Sequence, residues 1–302
     1  MKQTLVIGST VIDVLLKVPT LPLRGEDINI ESQEYRIGGC AYNVFKTLSQ
    51  FNSPALLCSP VGTGIYAGMV REQLEAEGLN PFVLLEEENG CCYCLIEDDG
   101  ERSFLSHHGA EYVFSRSWMK NIDYSKTEDF FICGLEVEEP TGDELIEFAF
   151  EQMDLKLYFA PGPRICHIPR EKMERLLSRR DIFGKGPLLH LNEAEAIQYC
   201  GKKDYLKAAD FLIKKTGNSV VITLGDRGCY FKENTDAEGV LVPPSPVKVI
   251  DTVGVGDAHC GALIACLKKG MKFEEACLIA NKAAAAVAGI KGARLDRLPI
   301  DL

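Results

Sequence analysis

The sequence lacks any long apolar run. Its 302 residues are 46% hydrophobic and 25% charged, as in globular proteins, yet no stretch reaches the ~18 apolar residues that a membrane-spanning helix needs. The apolar start, TLVIGSTVIDVLL, is interrupted by Gly8, Ser9, Thr10 and Asp13. We therefore interpret it as a buried strand rather than a signal peptide, and we expect a cytoplasmic protein without a membrane partner.

The chain also has too little positive charge for two classes of partner. Its 33 Lys and Arg residues are outnumbered by 44 Asp and Glu residues, which gives a formal net charge of −11. General nucleic-acid binding and adsorption to anionic membranes both depend on a basic surface. We expect neither, although a local positive potential is enough to bind a small anion.

Two common nucleotide-binding motifs are missing as well. The segment after the first strand, VIGSTVIDV, lacks the G-x-G-x-x-G that a dinucleotide-binding fold uses for pyrophosphate. No G-x-x-x-x-G-K-[ST] motif occurs either. The sequence therefore argues against a dinucleotide-dependent oxidoreductase and against a P-loop kinase.

Cysteine, in contrast, is abundant. Most of the 12 cysteines lie in apolar segments such as ALLCS and FFICG, where cysteine behaves as a small hydrophobe. Cys91 and Cys94 have a C-x-x-C spacing, but they lie in a predicted strand pair, where side chains three apart point to opposite faces. No second Cys or His pair has a matching spacing, so we favour a structural role over a zinc or redox site.

The order of apolar segments predicts an α/β fold. Short continuous apolar runs, typical of strands buried on both faces, alternate with helical patterns at 65–78, 141–152, 169–180, 193–200, 204–216, 257–269 and 273–289. Segments 14–37 and 91–108 instead read as antiparallel strand pairs that together form a small flap. Without a long linker or repeat, we expect a single domain, 1–302, with a β-sheet lid formed by about 14–37 and 91–108.

The stretch DTVGVGD at 251–257 opens a predicted helix. Backbone N–H groups at a helix start, with glycine at 254 and 256, suit a phosphate. Asp257 falls in the first turn, where the helix favours a negative charge and is expected to lower the pKa of the carboxyl. It is placed to take the proton of an attacking hydroxyl, but an ordinary glycine turn with a helix-start charge explains the pattern equally well.

Two further places suit a polyol. Gly38 and Gly39 precede a predicted helix, and glycines let a ligand approach the backbone, while Asn43 can donate and accept hydrogen bonds. Asp13 is predicted just beyond the first strand, where its carboxylate can accept bonds from two neighbouring hydroxyls. A structural turn and a solvated charge are the corresponding alternatives.

Two patterns suit a nucleotide. Thr223, Gly225 and Gly228 follow a buried strand and give backbone room for phosphates, or form a hairpin turn, or both. Asn192 and Glu195 share one helical face, but this spacing is also that of a capping box, which by itself is the simpler interpretation.

In their order and spacing, these elements resemble the ribokinase-like, or PfkB-type, carbohydrate kinases over nearly the whole chain. Gly38, Gly39 and Asn43 match the family's first signature, and 251–257 matches its second, D-T-x-G-A-G-D. Between them, Asn192 to Glu195 match N-x-x-E, and Thr223 to Gly228 match T-x-G-x-x-G.

The resemblance implies a three-layer α/β/α sandwich with a mostly parallel central sheet and a β-sheet lid. It also implies transfer of the γ-phosphoryl of ATP, with Mg²⁺, to a hydroxyl, usually a primary one, of a small sugar; nucleosides or pseudouridine are the alternative substrates. Some members also bind K⁺, and lid strands commonly pair in homodimers.

The resemblance assigns a role to each matching residue. Asp257 is the implied general base, and the N–H groups of Gly254, Val255 and Gly256 are the anion hole. The sugar is held by Asp13, Gly38, Gly39 and Asn43, and the nucleotide by Asn192, Thr223, Gly225, Gly228 and Asn281. Glu195 acts on Mg²⁺ through water, and K⁺ is bound by carbonyls of the Asp251 loop and of segment 288–294.

Three positions depart from the family pattern. Val255 replaces alanine, which is harmless where the backbone acts; His259 replaces phenylalanine; and Gly64 replaces aspartate. A non-catalytic sugar-binding protein on the same scaffold is the main rival, and the presence of Asp257 argues against it. Glu136, Arg102 and His107 are candidates for reading the sugar, and an aromatic wall from Tyr42 or Phe104 would favour a nucleobase.

Overall fold

The structure is a computed structural model that describes residues 1–291. Its strands are β1 (Gln3–Ile7), β2 (Val11–Lys17), β3 (Ser32–Gly38), β4 (Ala55–Cys58), β5 (Pro60–Thr63), β6 (Val83–Glu88), β7 (Cys91–Ile96), β8 (Arg102–His107), β9 (Thr127–Cys133), β10 (Lys156–Ala160), β11 (Leu188–Asn192), β12 (Val220–Thr223), β13 (Cys229–Lys232) and β14 (Val240–Val242). Its α-helices are α1 (Cys40–Gln50), α2 (Gly64–Ala76), α3 (Gly134–Glu138), α4 (Gly142–Glu151), α5 (Arg170–Ser178), α6 (Glu193–Cys200), α7 (Tyr205–Thr216), α8 (Val255–Lys268) and α9 (Phe273–Ala288).

The larger of two compact units contains the main sheet. It comprises Met1–Gly8, Cys40–Cys58 and the described chain from Phe114 onward. Its eight strands run in the order β14-β13-β12-β11-β10-β9-β1-β4, and all neighbours from β12 to β4 are parallel, while β13 and β14 are antiparallel additions. This confirms the predicted mostly parallel sheet.

Both faces of this sheet are covered. Successive side chains of a strand point to opposite faces, yet Leu5, Val6 and Ile7 of β1 are each at most 1% exposed. Two groups of helices provide the cover: α8 packs on both α1 and α9, and α4, α5, α7 and α6 pack in succession. The continuous apolar runs in the sequence therefore reflect burial on both faces.

The smaller unit contains the predicted antiparallel strand pairs. It comprises Ser9–Gly39 and Ser59–Val113. A four-stranded sheet has the order β3-β2-β7-β8, in which β2–β3 and β7–β8 are antiparallel and β2–β7 are parallel. A second sheet pairs β5 with β6. That this unit acts as a lid stays a prediction.

The first strand was predicted wrongly. The run TLVIGSTVI is not one strand, because β1 ends at Ile7 and the chain turns at Gly8, whose φ is 146°. This φ favours glycine, and a Cβ at Gly8 would also lie 2.8 Å from Oε1 of Glu136. Asp13 is consequently the third residue of β2 rather than a residue beyond the end of a strand.

Candidate active site

The loop before α8 is held by its own backbone and side chains. Asp251 accepts a hydrogen bond from the Val253 N–H at 2.9 Å through Oδ1, and Gly254 caps the helix with a φ of 71°. The Val255 N–H makes only a long bond, 3.4 Å, to the Thr252 carbonyl, and a Cβ at Gly256 would meet open space. A helix therefore begins here, two residues earlier than predicted, and the binding of an anion by its first N–H groups stays a prediction.

Asp257 lies in the first turn of α8 and contacts α1. Nδ2 of Asn43 donates to its Oδ2 at 2.8 Å, and the Cys40 thiol also hydrogen-bonds the carboxylate. Burial raises the pKa of Asp257 to about 6, although the bonds from Asn43 and Cys40 act in the opposite direction. The expectation of a lowered pKa was wrong, because desolvation of the carboxylate outweighs the favourable helix start.

Two cysteines that the sequence interpretation missed lie beside Asp257. The Cys40 thiol also hydrogen-bonds Cys133, and this bond, followed by burial, raises the pKa of Cys40 well above its usual value. Cys40 therefore stays protonated at neutral pH, with its thiol beside the carboxylate of Asp257. The position of Cys40 directly after Gly38-Gly39, one helical turn before Asn43, was the available signal.

The second unit places Asp13 beside the glycine pair. A Cβ at Gly38 would overlap the Asp13 carboxyl, and Val11 pairs with Gly38 across β2 and β3. Gly39 has a φ of 99°, and a Cβ there would lie 2.5 Å from the Ser9 carbonyl oxygen. Gly38 therefore leaves room for the Asp13 side chain, and Gly39 for the backbone at Ser9.

Asn192 and Glu195 form the predicted capping box at the start of α6. Oδ1 of Asn192 accepts from the Glu195 N–H at 2.8 Å, and Oε2 of Glu195 accepts from the Asn192 N–H at 3.0 Å. Nδ2 of Asn192 also donates to Oε1 of Glu195 at 2.7 Å. Burial raises the pKa of Glu195, and the Asp257 charge acts in the same direction.

The Thr223 segment lies next to the capping box. Asn192 at the end of β11 pairs with Thr223 at the end of β12, so both lie at the carboxyl edge of the sheet. The following turn is a hairpin closed by the Leu224 N–H, which donates to the Gly228 carbonyl at 2.8 Å. Gly225 and Gly228 have φ values of 64° and 87°. The hairpin is therefore present, but a Cβ would meet open space only at Gly225, because at Gly228 it would overlap the Val242 carbonyl; room for phosphates stays a prediction.

Both polar atoms of the Asn281 side-chain amide contact other residues of the protein. It is 6% exposed, and Nδ2 donates to the Pro243 carbonyl at 2.8 Å and to the Val242 carbonyl at 3.4 Å. Oδ1 lies 3.2 Å from Nε2 of His259. Its assignment to the nucleotide site stays a prediction, and direct contact through the amide would have to replace one of these bonds.

The K⁺ prediction falls partly on described residues. The N–H groups of Ile250 and Asp251 donate to the Ala288 carbonyl at 2.8 and 3.2 Å, so the Asp251 loop lies against the first residue of segment 288–294. Residues 292–294 of that segment lie outside the described residues.

The other residues singled out in the sequence have varied surroundings. Tyr42 is 1% exposed and belongs to the core, so it provides no wall for a nucleobase, whereas Phe104 is 55% exposed. Glu136 is buried beside Gly8, and Gly64 begins α2 with a φ of 86°, a conformation that suits glycine better than aspartate.

The Cys91–Cys94 pair is buried in β7, with both side chains at most 2% exposed. Within residues 1–291, no three His, Cys, Asp or Glu side chains are grouped in a way that would hold a metal ion. In the same part of the chain, no helix combines the length and the apolar character needed to cross a membrane.

Comparison with solved structures identifies the fold. The chain superposes on adenosine kinase from Sinorhizobium meliloti with a TM-score of 0.85 and 20% identity, covering 98% of this chain and 97% of that one. For ribokinase from Thermotoga maritima the TM-score is 0.81 at 22% identity, with 97% and 95% covered. The class of protein is therefore the ribokinase fold, with its mostly parallel sheet and smaller second sheet.

Comparison of sequences identifies the family. The model of the pfkB family of carbohydrate kinases matches residues 1–301. The uncharacterized sugar kinase YegV of Escherichia coli is 32% identical over 96% of this chain and 90% of its own length. A bifunctional ribokinase/ribose-5-phosphate isomerase A of Fructilactobacillus sanfranciscensis is 27% identical over 97% of this chain, which spans 54% of that longer protein. The chain belongs to the pfkB family of carbohydrate kinases.

Proposed function

We propose that this kinase transfers the γ-phosphoryl of ATP to a hydroxyl, usually a primary one, of a small sugar, with Asp257 as the general base. The observation that carries the proposal is Asp257 itself: a carboxylate held at 2.8 Å by Asn43, in the first turn of a glycine-capped helix. With a pKa of about 6, it is ionised at pH 7–8 and is a better base than an exposed aspartate.

In this proposal, the start of α8 stabilises the transferring group. Gly254, Val255 and Gly256 supply N–H groups toward the phosphoryl oxygens, where charge is greatest in the transition state. Asp257 takes the acceptor proton, the oxygen–phosphorus bond forms, and ADP leaves. Asp13, Gly38, Gly39 and Asn43 hold the sugar, and Asn192, Thr223, Gly225, Gly228 and Asn281 line the nucleotide site.

Mg²⁺ fits the residues as an ion held mainly by phosphate and water. Glu195 offers carboxylate oxygens, the ligand type that Mg²⁺ prefers, and both oxygens already accept bonds from Asn192, which favours contact through water. When bound, Mg²⁺ neutralises phosphate charge. We also propose K⁺ beside the Asp251 loop, on the strength of its contact with Ala288.

A sugar is favoured over a nucleoside because only one of the two aromatic side chains suggested to pack against a nucleobase is exposed. Tyr42 is buried in the core, which leaves Phe104 in the smaller unit as the remaining aromatic candidate that the sequence suggested. Glu136, at the start of α3, is a candidate to accept hydrogen bonds from hydroxyls. A nucleoside remains the second candidate because adenosine kinase from Sinorhizobium meliloti shares the fold.

The test is ADP release in a coupled assay over a panel of pentoses, hexoses and nucleosides. We expect activity with at least one sugar, and an Asp257→Asn enzyme slower by at least about 100-fold, because general acid–base catalysis contributes ~10²–10⁴-fold. The matched control is Asp154→Asn, an exposed aspartate before the amino end of β10, which should leave the rate unchanged. Equal silence of wild type and Asp257→Asn with every substrate would remove the proposal.

A further inference from the structure

A buried polar chain connects four elements of the larger unit. Nε2 of His190 on β11 lies 2.9 Å from Nδ1 of His259 on α8, and Nε2 of His259 lies 3.2 Å from Oδ1 of Asn281 on α9. Nδ2 of Asn281 then reaches the Val242 and Pro243 carbonyls at the end of β14. The three side chains are between 2% and 6% exposed, so these bonds have little competition from water.

The direction of the chain follows from its last step. A carbonyl can only accept, so the Asn281 amide nitrogen is the donor to Val242 and Pro243, and Oδ1 faces His259 as an acceptor. His259 must therefore carry a proton on Nε2. Burial, and then the proximity of His259, lower the pKa of His190 well below its usual value, so His190 is neutral and one proton lies between its Nε2 and Nδ1 of His259.

The chain ends on the backbone that packs against the glycine turn. A Cβ on Gly228 would overlap the Val242 carbonyl and lie 2.8 Å from atoms of Pro243 and Pro244. Asn281 thus fixes the carbonyls that define the space next to Gly228. The sulfur of Cys229, the next residue in the chain, also lies against Cys277, His259 and Asn281, whose hydrogen bonds to it lower the pKa of the thiol.

We propose that His259 is a positioning residue for the nucleotide site: through Asn281 it orients the end of β14 against the Gly225–Gly228 turn. This inference rests on the proposed function, which places the nucleotide at that turn. It adds a role for a residue to which the proposed function assigns none. A phenylalanine of similar size fills the same space but cannot donate to Asn281, so it leaves two buried polar side chains without their partner.

The experiment measures ADP binding by calorimetry for wild type, His259→Phe, His259→Gln and His259→Asn. Glutamine can place an N–H near the Nε2 position, whereas asparagine is too short to reach Asn281. Because one hydrogen bond is worth ~0.5–1.5 kcal/mol, we expect ADP binding to weaken about three- to tenfold in the Phe and Asn variants and to recover in the Gln variant. The KM for the sugar should stay unchanged in all three.

Each outcome decides between positioning and packing. Equal ADP affinity in the Phe and wild-type proteins, or equal weakening in Gln and Phe, would mean that His259 only fills space. If wild type binds no ADP, the proposed function fails, and this inference with it. Should His259→Phe not fold, the Gln and Asn pair carries the test, and ¹⁵N NMR of wild-type His259 must show the Nε2–H tautomer; the other tautomer would contradict the chain.

Discussion

At the scale of single residues, the catalytic proposal depends on the surroundings and the pKa of one carboxylate, Asp257. Burial and hydrogen bonds act on Asp257 in opposite directions, and burial dominates, which sets its pKa at about 6. The sequence showed the helix start but not the packing of α1 on α8 that buries it. The pH behaviour of the enzyme is therefore the most direct probe of this site.

The first prediction concerns the acid limb of activity. Because the base must be ionised, kcat/KM should fall below about pH 6. Cys40→Ala removes a bond that lowers this pKa, so the limb should move to higher pH, with an activity loss of about threefold at pH 6 and little loss at pH 8. Cys40→Ser keeps a donor and should retain the wild-type limb.

The control for this prediction is Cys200→Ala. Cys200 is also partly buried on a helix, but its thiol contacts the Ala208 carbonyl rather than Asp257. A limb that moved equally in the Cys40→Ala and Cys200→Ala enzymes would show that the Cys40 bond does not act on Asp257.

The same carboxylate affects stability. Its folded pKa lies above the ordinary value of 3.8, so the native state favours the protonated form, and stability is lost as pH rises through about 6. Asp257→Asn should therefore raise the free energy of unfolding by roughly 1–3 kcal/mol at pH 8, and by less at pH 5. Urea unfolding at the two pH values measures this, and a gain that did not depend on pH would contradict the cause.

At the scale of helices and strands, local signals predicted most elements. The predicted helices at 193–200 and 204–216 correspond to Glu193–Cys200 and Tyr205–Thr216, where Asn192 and Asp204 cap the first turns. Such caps are local and visible in a sequence. The break at Gly8 is not, because Glu136, whose carboxylate lies beside Gly8, is far away in the chain.

In the candidate site, too, features local in the sequence were predictable and contacts between distant residues were not. Gly254, Gly256 and Asp257 were recognisable from their spacing, because a helix start is local. The bonds that join Asp257 to Cys40 and Asn43, and His259 to His190 and Asn281, connect residues between 22 and 217 positions apart, as the sequence numbers show. No period or motif in one sequence reveals such pairs.

The cap of α6 allows the structural role of Asn192 to be distinguished from its proposed role in nucleotide binding. Asn192→Ala should cost about 1 kcal/mol in the free energy of unfolding, because the Glu195 N–H loses its acceptor. It should also raise the KM for ATP, since Asn192 orients Glu195. Asp204→Ala removes a comparable cap, in which Oδ1 accepts from the Lys207 N–H at 2.8 Å, and should cost similar stability without changing that KM. Equal KM values in the two variants would leave Asn192 as a cap only.

At the scale of the whole molecule, the outer strand of the smaller unit's sheet is the feature most relevant to assembly. β8 has one described neighbour, β7, and therefore forms an edge of that sheet. Its adjacent residues Phe104 and Leu105 point to opposite faces and are 55% and 63% exposed. An exposed apolar edge strand is a surface that proteins normally cover, which agrees with the homodimer expected from the family resemblance.

The last prediction follows from this edge. Sedimentation velocity at assay concentration should show a dimer for the wild type, and Leu105→Lys should shift it to a monomer, because a charged residue on an edge strand opposes pairing with a second copy. The control is Leu84→Lys, which changes a similarly exposed leucine, 64% exposed, on β6 of the separate two-stranded sheet. A wild type that sediments only as a monomer, or a dimer that persists in Leu105→Lys and is lost in Leu84→Lys, would place any contact between copies elsewhere than β8.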